Sequence, residues 1–314
     1  MNPTTTRSIE ASVPYDGEEH SFLLARASLE DYLSFVSDYA TDGAGDDRRR
    51  LMREWKAAAT QMESLREEEA ERADHNSPEP LPPKMRAWAS RVESDPIFHR
   101  AFSDSEYTFG MVDLDGVVVS QKLVCLDHLK RLQSKLGPQP DAEELFRFCL
   151  PWDRTVPEVR ASRIGDDEFA FVSASSDLRF QEAILLRPDQ IKDYKPVGPV
   201  AGIVALVVGF GSNCLHVLQV DGRLILNNGH HRACALWQMG IRNVPCVIQP
   251  ITHPDEIGLH APRAVRRNPA FYLTDPRPPL LGDYFDTTLS RRLHVGLTSK
   301  QVRVSYSVEE KDMP

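Results

Sequence analysis

Leu215-His-Val-Leu-Gln-Val-Asp-Gly-Arg-Leu-Ile-Leu-Asn-Asn-Gly-His-His-Arg232 decides the fold. Apolar residues crowd both sides of Asp221-Gly222, and Asp-Gly is the dipeptide that supplies the two positive-φ residues of a tight β-hairpin turn. The sequence therefore predicts a two-stranded ribbon. The residues from His230 to Met239 are helix-compatible and stop at Gly240, a C-terminal stop signal. Ile241 to Gln249 returns as a strand. A helix thus begins where a strand ends, at Asn228-Gly229. Such a junction presents unpaired backbone N–H groups and a partial positive charge, which together attract phosphate oxygens. Gly229 lets a ligand come close to the backbone. Arg232 offers a rigid set of donors suited to phosphate, and His230 and His231 can donate hydrogen bonds or move protons near neutral pH.

Upstream, the pattern changes at Glu182 to short β-rich runs: Ala183-Ile-Leu-Leu, Pro188-Asp-Gln-Ile, then Val204-Ala-Leu-Val-Val ending in Gly209-Phe-Gly-Ser-Asn213. The order strand, Pro-x-x-Ile, helix, glycine turn, hairpin, Gly-x-x-Arg at a helix start, glycine and strand resembles the ParB/sulfiredoxin superfamily over about residues 181–250. The fold expected from that resemblance is α+β, a mixed sheet with packed helices, preceded by a largely helical N-terminal region. In the superfamily the Gly-x-x-Arg turn holds nucleotide phosphates, in ParB-type nucleotide hydrolases, in sulfiredoxins and in free serine kinases. The resemblance implies that Asn228, Gly229, His230, His231 and Arg232 contact a nucleotide tri- or diphosphate with Mg2+, and that His230 or His231 acts catalytically. Ser212 and Asn213 stand where relatives turn towards the nucleotide, either as ligand contacts or as a plain tight turn.

Two departures narrow the chemistry. Sulfiredoxins carry their cysteine directly after the glycine, where this chain has His230, so sulfinic acid reduction is not expected. The serine kinases have an acid before the glycine, where this chain has Asn228. An amide cannot serve as a general base or neutralise a metal. Asp177 is a candidate replacement acid, equally readable as a turn cap, and Glu182 and Asp193 have no better claim.

The rest of the chain reads as scaffold. Residues 1–20 are polar, with no periodic apolar face, and are expected to be a mobile lead-in. Residues 21–104 read as helical, with a Pro-rich linker near 75–83; the triplets Arg48-Arg-Arg50 and Glu67-Glu-Glu69 are read as solvated helix faces. Residues 105–180 read as an α+β extension. In it, Phe109 to Val119 is expected to form two strands joined by a tight Asp-Gly turn, with Asp113 and Asp115 as turn carboxylates rather than a metal pair. Helices are predicted at Cys125–Leu136 and Asp141–Phe148, and a strand at Phe169–Ser173. Residues 251–314 are expected to be an extended segment packing on the core, closed by a strand at Gln301–Val308.

The 314 residues carry a formal net charge of −9. The acidity resides in residues 1–180, which hold 34 acids against 22 Lys/Arg. That balance argues against avid DNA binding, which requires cations against several phosphates, and makes the acidic front half a candidate protein-binding surface. Five cysteines without a CxxC or Cys/His zinc spacing point to free thiols and a cytoplasmic, bacterial-type setting. The longest apolar run, Val200 to Phe210, is too short to span a bilayer. Three functions remain: a nucleotide hydrolase or phosphotransferase, a noncatalytic nucleotide switch, and a ParB-like nuclease built on a basic groove of Arg232, Arg263, Arg266 and Arg267.

Overall fold

The structure is a computed structural model, and it describes residues 17–42, 47–153, 155–175, 177–191, 198–296 and 299–312. In chain order the strands and helices are β1 (Glu18–Leu23), α1 (Leu29–Tyr39), α2 (Arg48–Glu68), β2 (Glu79–Pro80), α3 (Pro83–Glu93), α4 (Pro96–Ala101), β3 (Thr108–Asp113), β4 (Val117–Val118), β5 (Leu123–Cys125), α5 (Leu126–Leu136) and α6 (Ala142–Cys149). There follow β6 (Arg160–Gly165), β7 (Glu168–Ser173), β8 (Leu178–Leu186), β9 (Ile203–Phe210), β10 (His216–Val220), β11 (Arg223–Asn228), α7 (His230–Gln238) and β12 (Asn243–Pro250). The chain closes with α8 (Pro254–His260), α9 (Arg263–Arg267), α10 (Pro269–Leu273), β13 (Ser290–Val295) and β14 (Lys300–Ser305). The fold is mixed α+β, as expected.

The predicted hairpin forms: Asp221 and Gly222 take φ of 46° and 86°, and β10 pairs antiparallel with β11. Positive φ at both turn positions gives the chain the twist that two adjacent strands require. Around this hairpin stands a six-stranded mixed sheet in the order β2-β3-β12-β10-β11-β4. Leu224, Ile225 and Leu226 of β11 are all wholly buried, which only a strand covered on both faces achieves. Each such side chain contributes roughly 1.5–3 kcal/mol of transfer free energy. One face of the sheet packs against α3, α5, α6 and α7, with Phe146, Leu129, Ala233 and Leu236 in a common core. The other buries Val118, Leu218 and Ile225 under Ile251, Val265, Tyr272 and Leu280 from the C-terminal segment. Buried Arg223 fastens that layer, pairing with Asp74 and donating to the Tyr272 carbonyl at 3.1 Å.

Several sequence expectations are corrected. Phe109 to Val119 is not a hairpin: Gly116 does not take positive φ, so the chain runs through a 3₁₀ turn at Leu114–Gly116 instead of reversing. β3 joins β12, whereas β4 joins β11 at the far edge of the sheet. Asp113 and Asp115 do cap and brace this turn, Asp115 by accepting from the Trp237 indole at 2.7 Å and pairing with Arg242 at 2.9 Å. Of the expected lead-in, residues 1–16 lie outside the described residues, while Glu18–His20 belongs to β1, which sits between β13 and β5 in a second sheet. The helical stretch expected after the Pro-rich linker is two helices, because Asp95-Pro96 starts a new one with the Asp95 carboxylate as its cap.

The largest difference concerns the segment of resemblance. β8 and β9 do not enter the six-stranded sheet; among the described residues they pair only with each other, Ala183 opposite Leu206 and Leu185 opposite Val204. Between them the described residues form a 3₁₀ turn at Pro188–Gln190, and residues 192–197, where the expected helix would continue, lie outside the described residues. The expected core of 181–250 therefore contributes only residues beyond Phe210 to that sheet, which draws its other strands from 79–80, 108–113 and 117–118. The C-terminal segment is helical at α8 to α10 rather than extended, and β14 closes a peripheral sheet with β7 and β6.

Candidate functional site

β11 ends at Asn228, and Gly229 turns the chain into α7 with φ 89° and ψ 22°, a left-handed conformation that favours glycine. A Cβ placed there would lie 2.8 Å from Leu215 Cδ1 and 3.2 Å from Leu215 Cα. The glycine is thus required by the chain's own packing. The Asn228 side chain accepts from the Gly229 amide at 2.8 Å and donates to the Ser212 carbonyl at 2.9 Å, using both ends of its amide.

Arg232 is buried rather than presented at the surface. Its guanidinium donates to the carbonyls of Phe148 and Cys149 at 3.0 and 2.9 Å and to Asn213 Oδ1 at 2.9 Å. The fold ties Ser212, Asn213, Asn228, Gly229 and Arg232 to one another through these hydrogen bonds. Arg232 acts as a clamp joining the end of α6, the 212–213 loop and α7. The basic groove expected around it does not form, since Arg263, Arg266 and Arg267 lie exposed on α9 while Arg232 is interior.

The two histidines differ in what they can do. His230 is buried, and its Nε2 has no hydrogen-bond partner among the described residues. Burial, aided by neighbouring His231, drives its pKa down to about 3. His231 Nε2 accepts from the Cys125 amide at 3.2 Å, so in the neutral ring Nδ1 carries the proton. Burial, with His128 and His20 nearby, lowers His231 to about 4. Its ring meets that of His128 edge-on at 5.0 Å. At neutral pH both are uncharged, suited to hydrogen bonding and poorly suited to act as acids.

No side-chain hydrogen bond caps the N-terminus of α7. Asp177 pairs with Arg179, whose guanidinium occupies the space a side chain at Gly211 would need, beside Ser212. Its carboxylate is engaged there, and Glu182 is engaged by Arg100. Asp193 lies outside the described residues. A cavity of about 330 Å³ stands elsewhere, by the C-terminal half of α7, among Leu65, Glu69, Asp115, Trp237, Arg277 and Phe285. Asp283 is buried in a bidentate pair with Arg277 at 2.7 and 2.9 Å.

One cluster escaped the sequence. β1 lies antiparallel to β5 with His20 opposite Cys125, and ligand atoms of Glu18, His20 and Cys125 all fall within 4.8 Å of one another. The Cys125 thiol donates to Glu18 Oε2 at 3.3 Å, and Arg131 pairs with Glu18 Oε1 at 2.7 Å. Burial pushes the Cys125 thiol up to about 11. Burial alone would raise Glu18 too, but the hydrogen bonds from Arg131 and Cys125 outweigh it and leave that carboxyl below its usual range. Nothing local signals this group, because its parts come from a segment read as lead-in and from a helix start far along the chain.

Compared with known proteins, the chain matches no family model, and no curated protein and no solved structure is significantly similar to it. No helix among the described residues is long and apolar enough to cross a membrane.

Proposed function

We propose that this protein binds a phosphate-bearing ligand, a nucleotide or a smaller phosphorylated molecule, at the N-terminal turn of α7, the turn to which the ParB/sulfiredoxin resemblance points. One observation carries the reading. α7 begins on a left-handed glycine with no capping side chain, and its first residue buries an imidazole whose Nε2 has no hydrogen-bond partner among the described residues. A buried polar atom without a partner costs about 1–3 kcal/mol, and an anion taken at this turn would offset that cost. Ser212 and the exposed Arg179 beside Gly211 would contact the ligand from the facing loop. Mg2+ would accompany a di- or triphosphate.

Asn228 favours binding over turnover. Both ends of its amide are used internally, and it replaces the acid found in the kinases. The protein is thus read as a nucleotide-responsive module whose acidic front half meets a protein partner, with hydrolysis or phosphoryl transfer as the competing outcome. Calorimetry with ATP, GTP, CTP, their diphosphates and pyrophosphate, with and without Mg2+, tests it, together with an assay for released phosphate. Binding that weakens at least tenfold in Arg179→Ala, with no phosphate released, is expected. Phosphate release at a rate that Asn228→Ala abolishes would instead establish an enzyme, and no binding of any of these ligands would end the reading.

A further inference from the structure

We propose that Glu18, His20 and Cys125 form a site for one zinc-class divalent metal ion, ligated by a carboxylate oxygen, an imidazole nitrogen and a thiolate. This inference does not depend on the phosphate reading. Alternate residues of a strand share a face, so Glu18 and His20 point the same way from β1, and the β1–β5 register places Cys125 directly across from His20. Three donors of different chemistry thereby converge from two neighbouring strands. A sulfur, nitrogen and oxygen set suits zinc and its neighbours and suits calcium or magnesium poorly.

Each donor is prepared for the role. His20 Nδ1 lies 2.9 Å from the Glu18 carbonyl, which can only accept, so Nδ1 carries the proton and Nε2 is left with its lone pair. A backbone carbonyl holding one ring nitrogen so that the other can ligate is how metal-binding histidines are commonly oriented. Cys125 is the N-cap of α5, and its sulfur accepts from the His128 amide at 3.3 Å. A helix N-terminus and an N–H donor favour the thiolate that a metal needs, against the burial that keeps the thiol protonated until a cation arrives. The thiol proton points at Glu18 Oε2, on the path the ion would take. Metal uptake therefore exchanges one proton for one cation: the S–H bond breaks, the proton leaves to solvent, and the thiolate and carboxylate together balance the charge of the ion.

The reach is right. Donor atoms of a tetrahedral zinc site stand about 3.5 Å apart, given bonds of about 2.0–2.3 Å, so side-chain rotation of about 1 Å closes the 4.8 Å spread. With three protein ligands the fourth position is open to water or a ligand. His231 is linked to the same cysteine through its amide, so the metal would be felt at the start of α7.

The test is a titration of the full chain, stripped with a chelator, with Co2+ as an optical probe, followed by competition with Zn2+. One Co2+ per chain should bind with a thiolate-to-cobalt charge-transfer band in the near ultraviolet, and Zn2+ should abolish it. The band should vanish in Cys125→Ser, persist in Cys234→Ser, and require at least about tenfold more Co2+ in His20→Gln and Glu18→Gln. Circular dichroism checks that each variant folds. If Cys125→Ser does not fold, His20→Gln decides, and unchanged Co2+ affinity there overturns the proposal. Absence of the band in the wild type, or an undiminished band in folded Cys125→Ser, overturns it as well.

Discussion

The stretch from Leu178 to Pro250 contains two β-rich halves that look alike in sequence and behave differently in the fold. The second half, β10 to β12 with α7, lies at the centre of a six-stranded sheet and is almost wholly buried. The first half, β8 with β9, is a ribbon that leaves Leu185 and Val204 at 73% and 68% exposure. Each half contains an antiparallel pair, β8 with β9 and β10 with β11, so pairing alone does not make a core. Burial depends on neighbours: β10 and β11 are flanked by β12 and β4 and covered by helices, whereas no third strand joins β8 and β9 among the described residues.

Acid should strike the buried half hardest. Burial lowers His216 to about 4 and His230 to about 3, against an ordinary value near 6.5. In the unfolded chain both take up protons below pH 6.5; in the folded chain they stay neutral. Their contribution to stability is therefore complete above pH 6.5 and falls as pH drops towards 4. The loss is about 1.4 kcal/mol per pH unit for each histidine, or about 5 kcal/mol for the pair between pH 6.5 and 4.5. Denaturant melts across that range should show the decline, and His216→Gln should flatten part of it.

Arg232→Ala comes next, at about 3 kcal/mol, because it strands the Phe148 and Cys149 carbonyls and Asn213 Oδ1 in the interior. The same variant would cost under 0.5 kcal/mol if the guanidinium were a surface phosphate contact, so urea melts distinguish clamp from contact. Gly229→Ala should cost about 2 kcal/mol through its positive φ and the collision with Leu215. At the small end, Leu185→Glu combined with Val204→Lys should change stability by no more than about 0.5 kcal/mol, since both side chains already face solvent. A loss of several kcal/mol in that pair would mean that the ribbon is part of the cooperative core and would dissolve the contrast.

What could be read in the sequence was local. The hairpin was legible because Asp221-Gly222 specifies a turn by its own backbone preferences, and the end of α7 because Gly240 takes φ 79°. α6 was legible through Asp141, whose carboxylate caps the helix while Glu144 reaches back to its amide. Long-range choices were not legible. Nothing in Val117-Val118 says that it will pair parallel with Leu224-Ile225 rather than fold back on β3. The grouping of Ser212, Asn213, Asn228 and Arg232 followed from the motif, but the use of Arg232 depended on two carbonyls at the end of α6, which no motif records. The Glu18, His20 and Cys125 group was hidden for the same reason, since a strand register created it.

β1 pairs along its whole length with β13, Glu18 opposite Val295 and Leu23 opposite Ser290. A chain emerging from the ribosome must therefore hold this segment without its long partner until Ser290–Val295 has been made. Such closing of a very long loop is slow compared with forming the hairpin at Asp221-Gly222. The sheet around α7 can assemble first, and the face bearing Glu18 and His20 is completed late. A chain cut short before Ser290 would keep most of its core and lose the strand that steadies those two residues.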